Sequence, residues 1–291
     1  MDNNTLFSVL IANYNSGYYM QDAINSVLMQ SYSNWEVIIV DDGSTDSSHH
    51  IYEKYRTDSR FHIYSNNRNY GCGYTKHRCA TLANGEICGF LDADDALTTD
   101  AIATMVTLHR EHPDASVISS GHFICDQNWN VTDSDHPKPM VPGETYFTHR
   151  APYGPEHFTT FKKNAYLKTE GIMRNAQLGD DQDLLFKLEE VGTYYIIPDL
   201  LYRYRVFPDS TCHKDPVRGA YWSTIILYET CKRRGLPLGP YSYEPWRKYV
   251  ESYSQLYNSK EFRTGKAILR PLVWCKRLLI SLHIWRAHTH Q

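Results

Sequence analysis

The sequence predicts an α/β protein with a doubly wound, mostly parallel sheet and flanking helices. Two short β-branched runs, 8–11 and 35–40, each stop abruptly at polar residues, which is typical of buried strands. Because a helix connects the two strands, we expect them to run parallel. The helix is predicted from apolar residues at one-sided helical spacing, namely Met20, Ala23, Ile24, Val27 and Leu28.

The same alternation continues along the chain. Ser44 or Thr45 is placed to cap the helix after the second strand, with Asp46 in its first turn, where the helix dipole favours a carboxylate. Polar residues follow the carboxyl ends of three predicted strands, and that edge is the ligand crevice of a doubly wound sheet. The further predicted elements are a strand at 61–64, a helix at 75–83, a strand at 87–91 and a helix with its apolar face at Ala101, Ile102, Met105 and Val106.

Composition narrows the function classes. The chain has 291 residues, 42% of them hydrophobic, and a formal net charge of −3, so its overall charge does not favour a nucleic-acid partner. Its seven cysteines contain no CxxC pair, which argues against a zinc site and a disulfide framework. Neither a signal peptide nor a long apolar span is evident, and we therefore expect a cytoplasmic protein.

Three carboxylates among four residues, Asp92, Asp94 and Asp95, follow the strand at 87–91. A strand end would not carry that much unpaired negative charge unless a cation or a cluster of donors met it there. Asp95 or Thr98 could cap the next helix, but a cap needs only one carboxylate. The segment therefore predicts a metal or nucleotide site.

Two ordered motifs, FSVLIANYNSGYYMQDAINSVLMQSYSNWEVIIVDDGSTD and LANGEICGFLDADD, resemble the nucleotide-binding half of the inverting glycosyltransferases of family two, which have the GT-A fold. A lone acidic motif would be a weak signal, whereas the pair of motifs in this order is specific. The resemblance is close over roughly the first 110 residues and looser to about residue 210. It implies a GT-A domain at 1–210, with a nucleotide-sugar-binding half at 1–97 and an acceptor-binding half at 98–210, and a helical C-terminal extension at 211–291.

The resemblance implies a nucleoside site at the ends of the first two strands. Ala12, Tyr14 and Asp41 should lie against the base, where Asp41 can accept a hydrogen bond from a base imide and Tyr14 offers a stacking face. Asp42 either contacts the nucleoside as well or orients the turn, in which glycine supplies an unusual backbone angle. The sequence does not show which of the two aspartates has which role.

A cation is also implied beside the nucleotide. Lys76 stands where many relatives carry an arginine, and Arg78 is the nearby substitute. The alternative for both residues is an exposed position on a helix.

In the second motif, the resemblance assigns Asp92 to the ribose and Asp94 to a divalent cation, with Asp92 as a second metal-binding candidate. Ala93 belongs to the nucleotide site, and Asp95 is assigned a structural role. Hard oxygen ligands favour Mn²⁺ or Mg²⁺, and the diphosphate and water would complete the coordination shell. The cation would neutralise charge on the leaving group.

The acidic run GDDQDL at 179–184 begins a predicted helix that closes at Gly192. From the residues alone, carboxylates at a helix N-terminus need no catalytic role, because the helix dipole favours them. Family members carry an acidic pair here, and its second residue removes a proton from the acceptor hydroxyl. The resemblance therefore implies Asp180 and Asp181 as the catalytic pair, with Asp181 as general base in a direct displacement with inversion.

The YRYR segment at 202–205 resembles the part that closes over the diphosphate in this family, and it makes Arg203 and Arg205 candidates for diphosphate binding. Relatives often have histidine where Arg205 stands, and arginine is a poor metal ligand. The alternative is an alternating strand with both arginines on a solvated face.

The implied partners are a nucleotide-sugar donor, with uridine diphosphate as the most frequent carrier in the family, and a saccharide or lipid-linked saccharide acceptor. The segment at 133–155 is predicted to be a long loop beside the acceptor. Basic and apolar residues at 263–286 predict an amphipathic helix, which either contacts the inner face of the membrane or packs on the catalytic domain or a second subunit of a homodimer.

Two other function classes stay open. A metal-dependent nucleotidyltransferase or sugar-nucleotide pyrophosphorylase would use similar carboxylates, but it would normally have a glycine-rich, basic phosphate loop, which ANYNSGYY matches poorly. A non-catalytic sugar-nucleotide-binding protein would keep the ligand crevice but lack the general base. The presence of Asp181 argues against this class.

Overall fold

The computed structural model describes residues 4–141, 143–150, 157–207 and 216–239, with the single positions 251, 253, 255, 259 and 260. Over these residues the chain forms a nine-stranded sheet and eight helices. The strands are β1 Phe7–Asn13, β2 Trp35–Asp41, β3 Phe61–Ser65, β4 Ile87–Phe90, β5 Ala96–Leu97, β6 Ala115–Cys125, β7 Val131–Asp135, β8 Thr159–Lys162 and β9 Thr193–Arg205. The helices are α1 Gly17–Leu28, α2 Ser48–Tyr55, α3 Cys72–Leu82, α4 Ala101–Glu111, α5 Tyr146–Arg150, α6 Lys163–Tyr166, α7 Asp180–Glu189 and α8 Pro216–Arg234.

The strand order is β3-β2-β1-β4-β8-β6-β9-β5, and β7 pairs with β6. The first four strands are parallel, whereas β8 is antiparallel to both of its neighbours. The predicted α/β sheet with flanking helices is therefore confirmed, with a mixed second half. The chain passes from β1 to β2 on one side and returns to β4 on the other, so the crevice expected at such a reversal lies beyond the end of β1.

The first strands are buried on both faces, which explains their unbroken apolar runs. Phe7, Val9 and Ile11 of β1 face a core shared with α1 and α4, and Leu10 faces a second core with α3 and α7. Two cores on opposite faces of the sheet hold the ends of β1, β2 and β4 at one edge.

Helix α2 begins at Ser48, later than predicted, because Ser44 does not cap it. The Ser44 hydroxyl accepts a hydrogen bond from the Asn15 amide at 2.9 Å, and the Ser44 amide donates to Asp41 at 2.8 Å. Ser44 therefore joins the ends of the first two strands. Gly43 permits this turn with φ +75°, and a Cβ there would lie 2.7 Å from the backbone of Arg68.

Asp46 lies before α2 and not in its first turn as predicted. Its carboxylate accepts hydrogen bonds from the Ser48 amide at 3.0 Å and the Gly17 amide at 2.8 Å. One carboxylate thus stabilises the first turns of α1 and α2 together.

Three other boundaries differ from the predictions. Helix α4 begins after Asp100, so neither Asp95 nor Thr98 is its N-cap, and α7 ends at Glu189, before Gly192. The segment predicted as a loop at 133–155 begins inside β7 and contains α5.

The predicted helical extension begins with α8, which packs against α7. Arg234 of α8 donates to the Phe186 carbonyl at 2.6 Å and pairs with Glu189 at 3.0 Å, and Arg233 pairs with Glu190 at 2.7 Å. The basic stretch at 263–286 lies outside the described residues. No helix in the described part of the chain is long and apolar enough to cross a bilayer.

A buried carboxylate fastens the amino ends of the strands. Glu36 accepts hydrogen bonds from the Ser8 hydroxyl at 2.6 Å and the Asn84 amide at 2.7 Å, and it lies 3.3 Å from His62. Burial alone would raise the pKa of Glu36, but these donors bring the pKa below its ordinary value of 4.5. The ionised carboxylate therefore stabilises the fold.

We expect Glu36→Gln to lower the free energy of unfolding at pH 7 by about 1–3 kcal/mol, because the amide accepts fewer of these hydrogen bonds. The folded-state pKa of Glu36 is depressed, so its contribution is present above pH 4.5 and is lost as pH falls through the folded-state pKa. Urea denaturation should show a smaller difference in free energy of unfolding between the wild type and Glu36→Gln at pH 4 than at pH 7. Exposed Glu53→Gln is the control, with an effect within about 0.5 kcal/mol; an equal deficit for Glu36→Gln at both pH values would contradict the assignment.

Candidate active site

A cavity of about 40 Å³ lies between the end of β4, helix α7 and strand β9. Three residues singled out from the sequence, Lys76, Asp92 and Asp181, line it although they come from separate parts of the chain. The fold therefore brings together one cation and two carboxylates predicted to act in the same site. The remaining lining residues are Phe90, His157, Thr159, Leu184, Leu185 and Tyr202.

Lys76 is the cation of this site and is only 9% exposed. Its ammonium lies 3.5 Å from Asp92 and 3.3 Å from Asp180, so it bridges the end of β4 and the start of α7. Burial alone would lower the pKa of Lys76, but Asp180 and Asp92 raise it well above its ordinary value. In return, Lys76 lowers the pKa of Asp92, so both groups are charged at neutral pH.

The acidic run at the start of α7 divides into separate environments. Gly179 takes a left-handed conformation, φ +74°, directly before the helix. Asp180 is buried against Lys76, whereas Asp181 lines the cavity and accepts a hydrogen bond from the Gln182 amide at 2.8 Å. Burial and then the negative charge of Asp180 raise the pKa of Asp181 to about 6.

The third carboxylate of that run has a structural environment. Asp183 is fully buried and accepts hydrogen bonds from the Met173 amide and the Lys187 ammonium, both at 2.8 Å. It therefore stabilises α7 and its preceding loop, and it does not line the cavity.

Beyond β4, Asp94 and Asp95 also have different surroundings. Asp95 is 1% exposed and accepts hydrogen bonds from the Tyr202 hydroxyl and the Arg205 amide, both at 2.8 Å, which matches the structural role expected of it. Burial and the nearby Asp92 raise the pKa of Asp94 to about 6.

Asp92 and Asp94 fit a divalent cation by the chemistry of their donor atoms. Burial first, and then repulsion from Asp92, raise the pKa of Asp94, and a bound cation would offset both effects. Carboxylate oxygens suit Mg²⁺ and Mn²⁺. The described residues contain no group of three or more histidine, cysteine or acidic side chains arranged around a metal position.

Asp41 lies in a buried network at the ends of β1 and β2. Its carboxylate accepts hydrogen bonds from the Tyr52 hydroxyl at 2.6 Å, the Asn13 amide group at 3.3 Å and the Ser44 amide at 2.8 Å. Burial works against ionisation, but these donors keep the pKa of Asp41 below its ordinary value. Contact of Asp41 with a base stays a prediction, since the side chain is 1% exposed.

Asp42 orients the loop that follows β3. It accepts hydrogen bonds from the Asn66 side chain at 2.7 Å and from the Gly71 amide at 2.8 Å. Arg78, the substitute cation, donates to the Asn66 side chain and to the Ser65 carbonyl, and it does not line the cavity. Of the two predicted cations, Lys76 is therefore the one at the site.

The remaining nucleotide-site residues differ in exposure. Tyr14 follows β1 and is 49% exposed, so its ring is available for stacking. Ala12 is half-buried, and Ala93 is buried in the core.

Arg205 is 3% exposed, so the alternative of a solvated position is wrong for this residue. Its guanidinium pairs with Asp22 at 2.6 Å and lies over the rings of Trp129, at 3.8 Å, and Tyr19, at 4.9 Å. Arg203 lies over the Phe123 ring at 5.7 Å. Neither arginine lines the cavity, and diphosphate binding by either stays a prediction.

Sequence reasoning missed His157, Thr159 and the Tyr202 ring. Tyr202 belongs to the YRYR segment, of which only the arginines were singled out. A lone histidine before a short strand has no spacing signal, and it reaches the cavity only because β8 inserts between β4 and β6.

Comparison with known proteins relates this chain to glycosyltransferases. The family model described as Glycosyl transferase family 2 matches residues 8–170. EpsE of Bacillus subtilis (strain 168), which carries a glycosyltransferase name, is 26% identical over 249 residues, or 84% of this chain and 88% of EpsE. The hyaluronan synthase of Pasteurella multocida is 27% identical over 283 residues, which are 92% of this chain but 27% of the synthase.

Solved structures share the fold. S. aureus TarS 1–349 in complex with UDP-GlcNAc has a TM-score of 0.63 at 19% identity, covering 89% of this chain and 74% of that one. The mannosyltransferase PcManGT from Pyrobaculum calidifontis, in complex with GDP-Man and Mn²⁺, has a TM-score of 0.61 at 18% identity, covering 94% of this chain and 78% of that one. The likeness to both is one of fold.

We expect Lys76→Met to lower the free energy of unfolding at pH 7 by about 2–4 kcal/mol, because it leaves the buried Asp180 carboxylate unpaired. This expected loss in stability is smaller than the loss for a fully buried ion pair, because the Asp92 side chain is 41% exposed and solvent screens its charge. Chemical denaturation measures the effect. Lys76→Arg keeps the charge and should retain most of the stability; equal stability of the Met variant and the wild type would refute the bridging role.

Proposed function

This chain belongs to glycosyl transferase family 2, and on that premise we propose that it moves a sugar from a nucleoside-diphosphate sugar to a hydroxyl of a saccharide or lipid-linked saccharide with inversion at the anomeric carbon. The observation that carries the proposal is that Asp181 and Asp92 line one cavity, together with Lys76. A general base and a leaving-group site in one small cavity are what a direct displacement requires.

Asp181 is the proposed general base. Its raised pKa, about 6, leaves it ionised at pH 7 and makes it a stronger proton acceptor than an ordinary aspartate. Its partner Asp180 contributes the negative charge that helps to raise this pKa, and the Lys76 ammonium lies 3.3 Å from Asp180.

The leaving group is proposed to lie at the Lys76 and Asp92 side of the cavity. Lys76 supplies a fixed positive charge, and Asp94 with Asp92 would hold the cation. A bound Mn²⁺ or Mg²⁺ supplies positive charge that stabilises the departing diphosphate. Support for a divalent cation comes from PcManGT, which was solved in complex with GDP-Man and Mn²⁺.

The finer substrate assignment rests on the named relatives. TarS was solved with UDP-GlcNAc, which supports a uridine diphosphate carrier. Hyaluronan and chondroitin synthases among the relatives support a saccharide acceptor. A cytoplasmic location at the inner face of the membrane stays a prediction.

The test is to incubate the protein with a panel of nucleotide sugars, candidate saccharide acceptors and Mn²⁺, and to analyse both the nucleotide product and the glycoside formed. Release of nucleoside diphosphate with a product of inverted anomeric configuration is the expected result. Release of pyrophosphate would instead indicate nucleotidyl transfer, and binding without turnover would indicate a non-catalytic role.

We expect Asp181→Asn to lower turnover by about 10²–10⁴-fold and to spare donor binding, because the amide cannot accept the acceptor proton. Asp183→Asn on the same helix is the matched comparison. It should lower the free energy of unfolding by about 1–3 kcal/mol through lost buried hydrogen bonds, with much less effect on turnover. Steady-state kinetics and urea denaturation of both variants separate the two roles, and full activity of Asp181→Asn would remove Asp181 as the base.

The pH dependence should report the same group. Because Asp181 acts when deprotonated, kcat/KM should rise with pH through about 6 and then level off. The folded-state pKa is raised above 3.8, so the contribution of Asp181 to stability is lost as pH rises through about 6. Asp181→Asn should accordingly unfold at pH 7 at the same temperature as the wild type or higher. A flat activity profile between pH 5 and 7 would contradict this prediction.

A further inference from the structure

His157 is an unassigned polar group in the wall of the active-site cavity. It lines the same 40 Å³ space as Asp92 and Asp181. Neither ring nitrogen forms a hydrogen bond to another of the residues that the structure describes. Its polar edge is therefore available to a molecule in the cavity.

The His157 ring is held in place by aromatic neighbours. Its plane lies 15° from that of Tyr202, with centroids 5.0 Å apart, and 11° from that of Tyr204, at 5.4 Å. The ring of His122 meets it edge-on at 5.0 Å. These contacts fix the orientation of the ring before any ligand binds, which is the condition for selective recognition.

The backbone at His157 is fixed as well. The Ser120 hydroxyl donates to the His157 carbonyl at 2.9 Å and accepts from the Phe158 amide at 2.8 Å. This anchor ties the residue to β6, and the Tyr202 hydroxyl donates to Asp95 at 2.8 Å, so the stacking partner is fixed too.

The imidazole is neutral at physiological pH. Burial, and then the neighbouring His122, lower the pKa of His157 to about 4, although the Asp92 carboxylate acts in the opposite direction. A neutral imidazole presents one donor and one acceptor, which matches an alcohol hydroxyl better than a phosphate or a carboxylate. Its chemistry therefore favours the sugar over the diphosphate as a partner.

The cavity has room beside His157 for part of a ligand. Its volume of about 40 Å³ exceeds the roughly 10–15 Å³ that one water needs by the same kind of measure, so a hydroxyl-bearing substituent fits next to the ring. The space lies between the residues proposed to hold the leaving group and the proposed base. In a direct displacement, the transferred sugar occupies that position.

We propose that His157 hydrogen-bonds to one hydroxyl group of the transferred sugar and so determines which donor sugars are used. The inference rests on the proposed function and deepens it. It assigns His157 a specificity role, while proton transfer stays with Asp181.

The test uses the best donor from the nucleotide-sugar panel and its deoxy analogues, each with one ring hydroxyl replaced by hydrogen. Wild-type kcat/KM should fall about 10- to 100-fold with one analogue, which identifies the recognised hydroxyl. His157→Phe keeps an aromatic ring and removes both nitrogens. The kcat/KM of this variant should be lower by a similar factor with the parent donor, and it should not fall further with that analogue.

Binding gives a second readout that does not depend on turnover. Calorimetry should show that His157→Phe binds the nucleoside diphosphate as wild type does, within about twofold, but loses affinity for the nucleotide sugar. His157→Gln retains a donor and an acceptor and should restore part of the discrimination. Unchanged thermal unfolding confirms that the variants fold, and His157→Leu replaces the Phe variant if that one does not.

His122→Phe is the matched control, because His122 contacts His157 but does not line the cavity. It should keep the wild-type discrimination among deoxy analogues. If His157→Phe also keeps this discrimination, the inference is overturned while the proposed sugar transfer stands. The same conclusion follows if His122→Phe abolishes the discrimination to the same extent. Absence of any sugar transfer by the wild type overturns the proposed function together with the inference.

Discussion

The candidate site depends on one buried ammonium group. Lys76 reaches from α3 to the carboxylates at the end of β4 and at the start of α7, with ion-pair distances of 3.5 and 3.3 Å. Without that positive charge, the buried Asp180 carboxylate would be unpaired beside the partly exposed Asp92, which is unfavourable. The cavity can therefore have acidic walls from two distant segments only because a cation from a third segment lies between them.

A second set of contacts holds the sheet edge on which this arrangement stands. Asp41 binds side chains of β1 and α2, and Asp42 binds the loop at 66–71, so the two neighbouring aspartates fasten different elements. Gly43 makes the division possible, because its positive φ lets the chain turn closely past Arg68. The acidic pair at this strand end is thus as much a structural device as a candidate ligand site.

Features that depend on neighbouring residues in the sequence could be predicted, whereas features that depend on contacts between distant segments could not. Strands β1, β2 and β4 were found because burial on both faces leaves unbroken apolar runs, and the carboxylates were found because charge at a buried strand end needs a partner. The predicted start of α2 is wrong because Ser44 and Asp46 bind partners in β1, β2 and α1, and no local sequence pattern indicates such contacts. His157 was missed for a related reason, since its position depends on pairing among β4, β8 and β6 over long sequence distances.

The ion pairs between α8 and the end of α7 affect where the chain can be truncated. Helix α7 is a rod of ten residues, about 15 Å long, with the candidate base at one end and the arginine-held Glu189 and Glu190 at the other. A fragment cut between β9 and α8 would keep every residue of the cavity and yet free the far end of this rod. Although α8 supplies no residue of the cavity, it helps to hold the helix on which the candidate base lies.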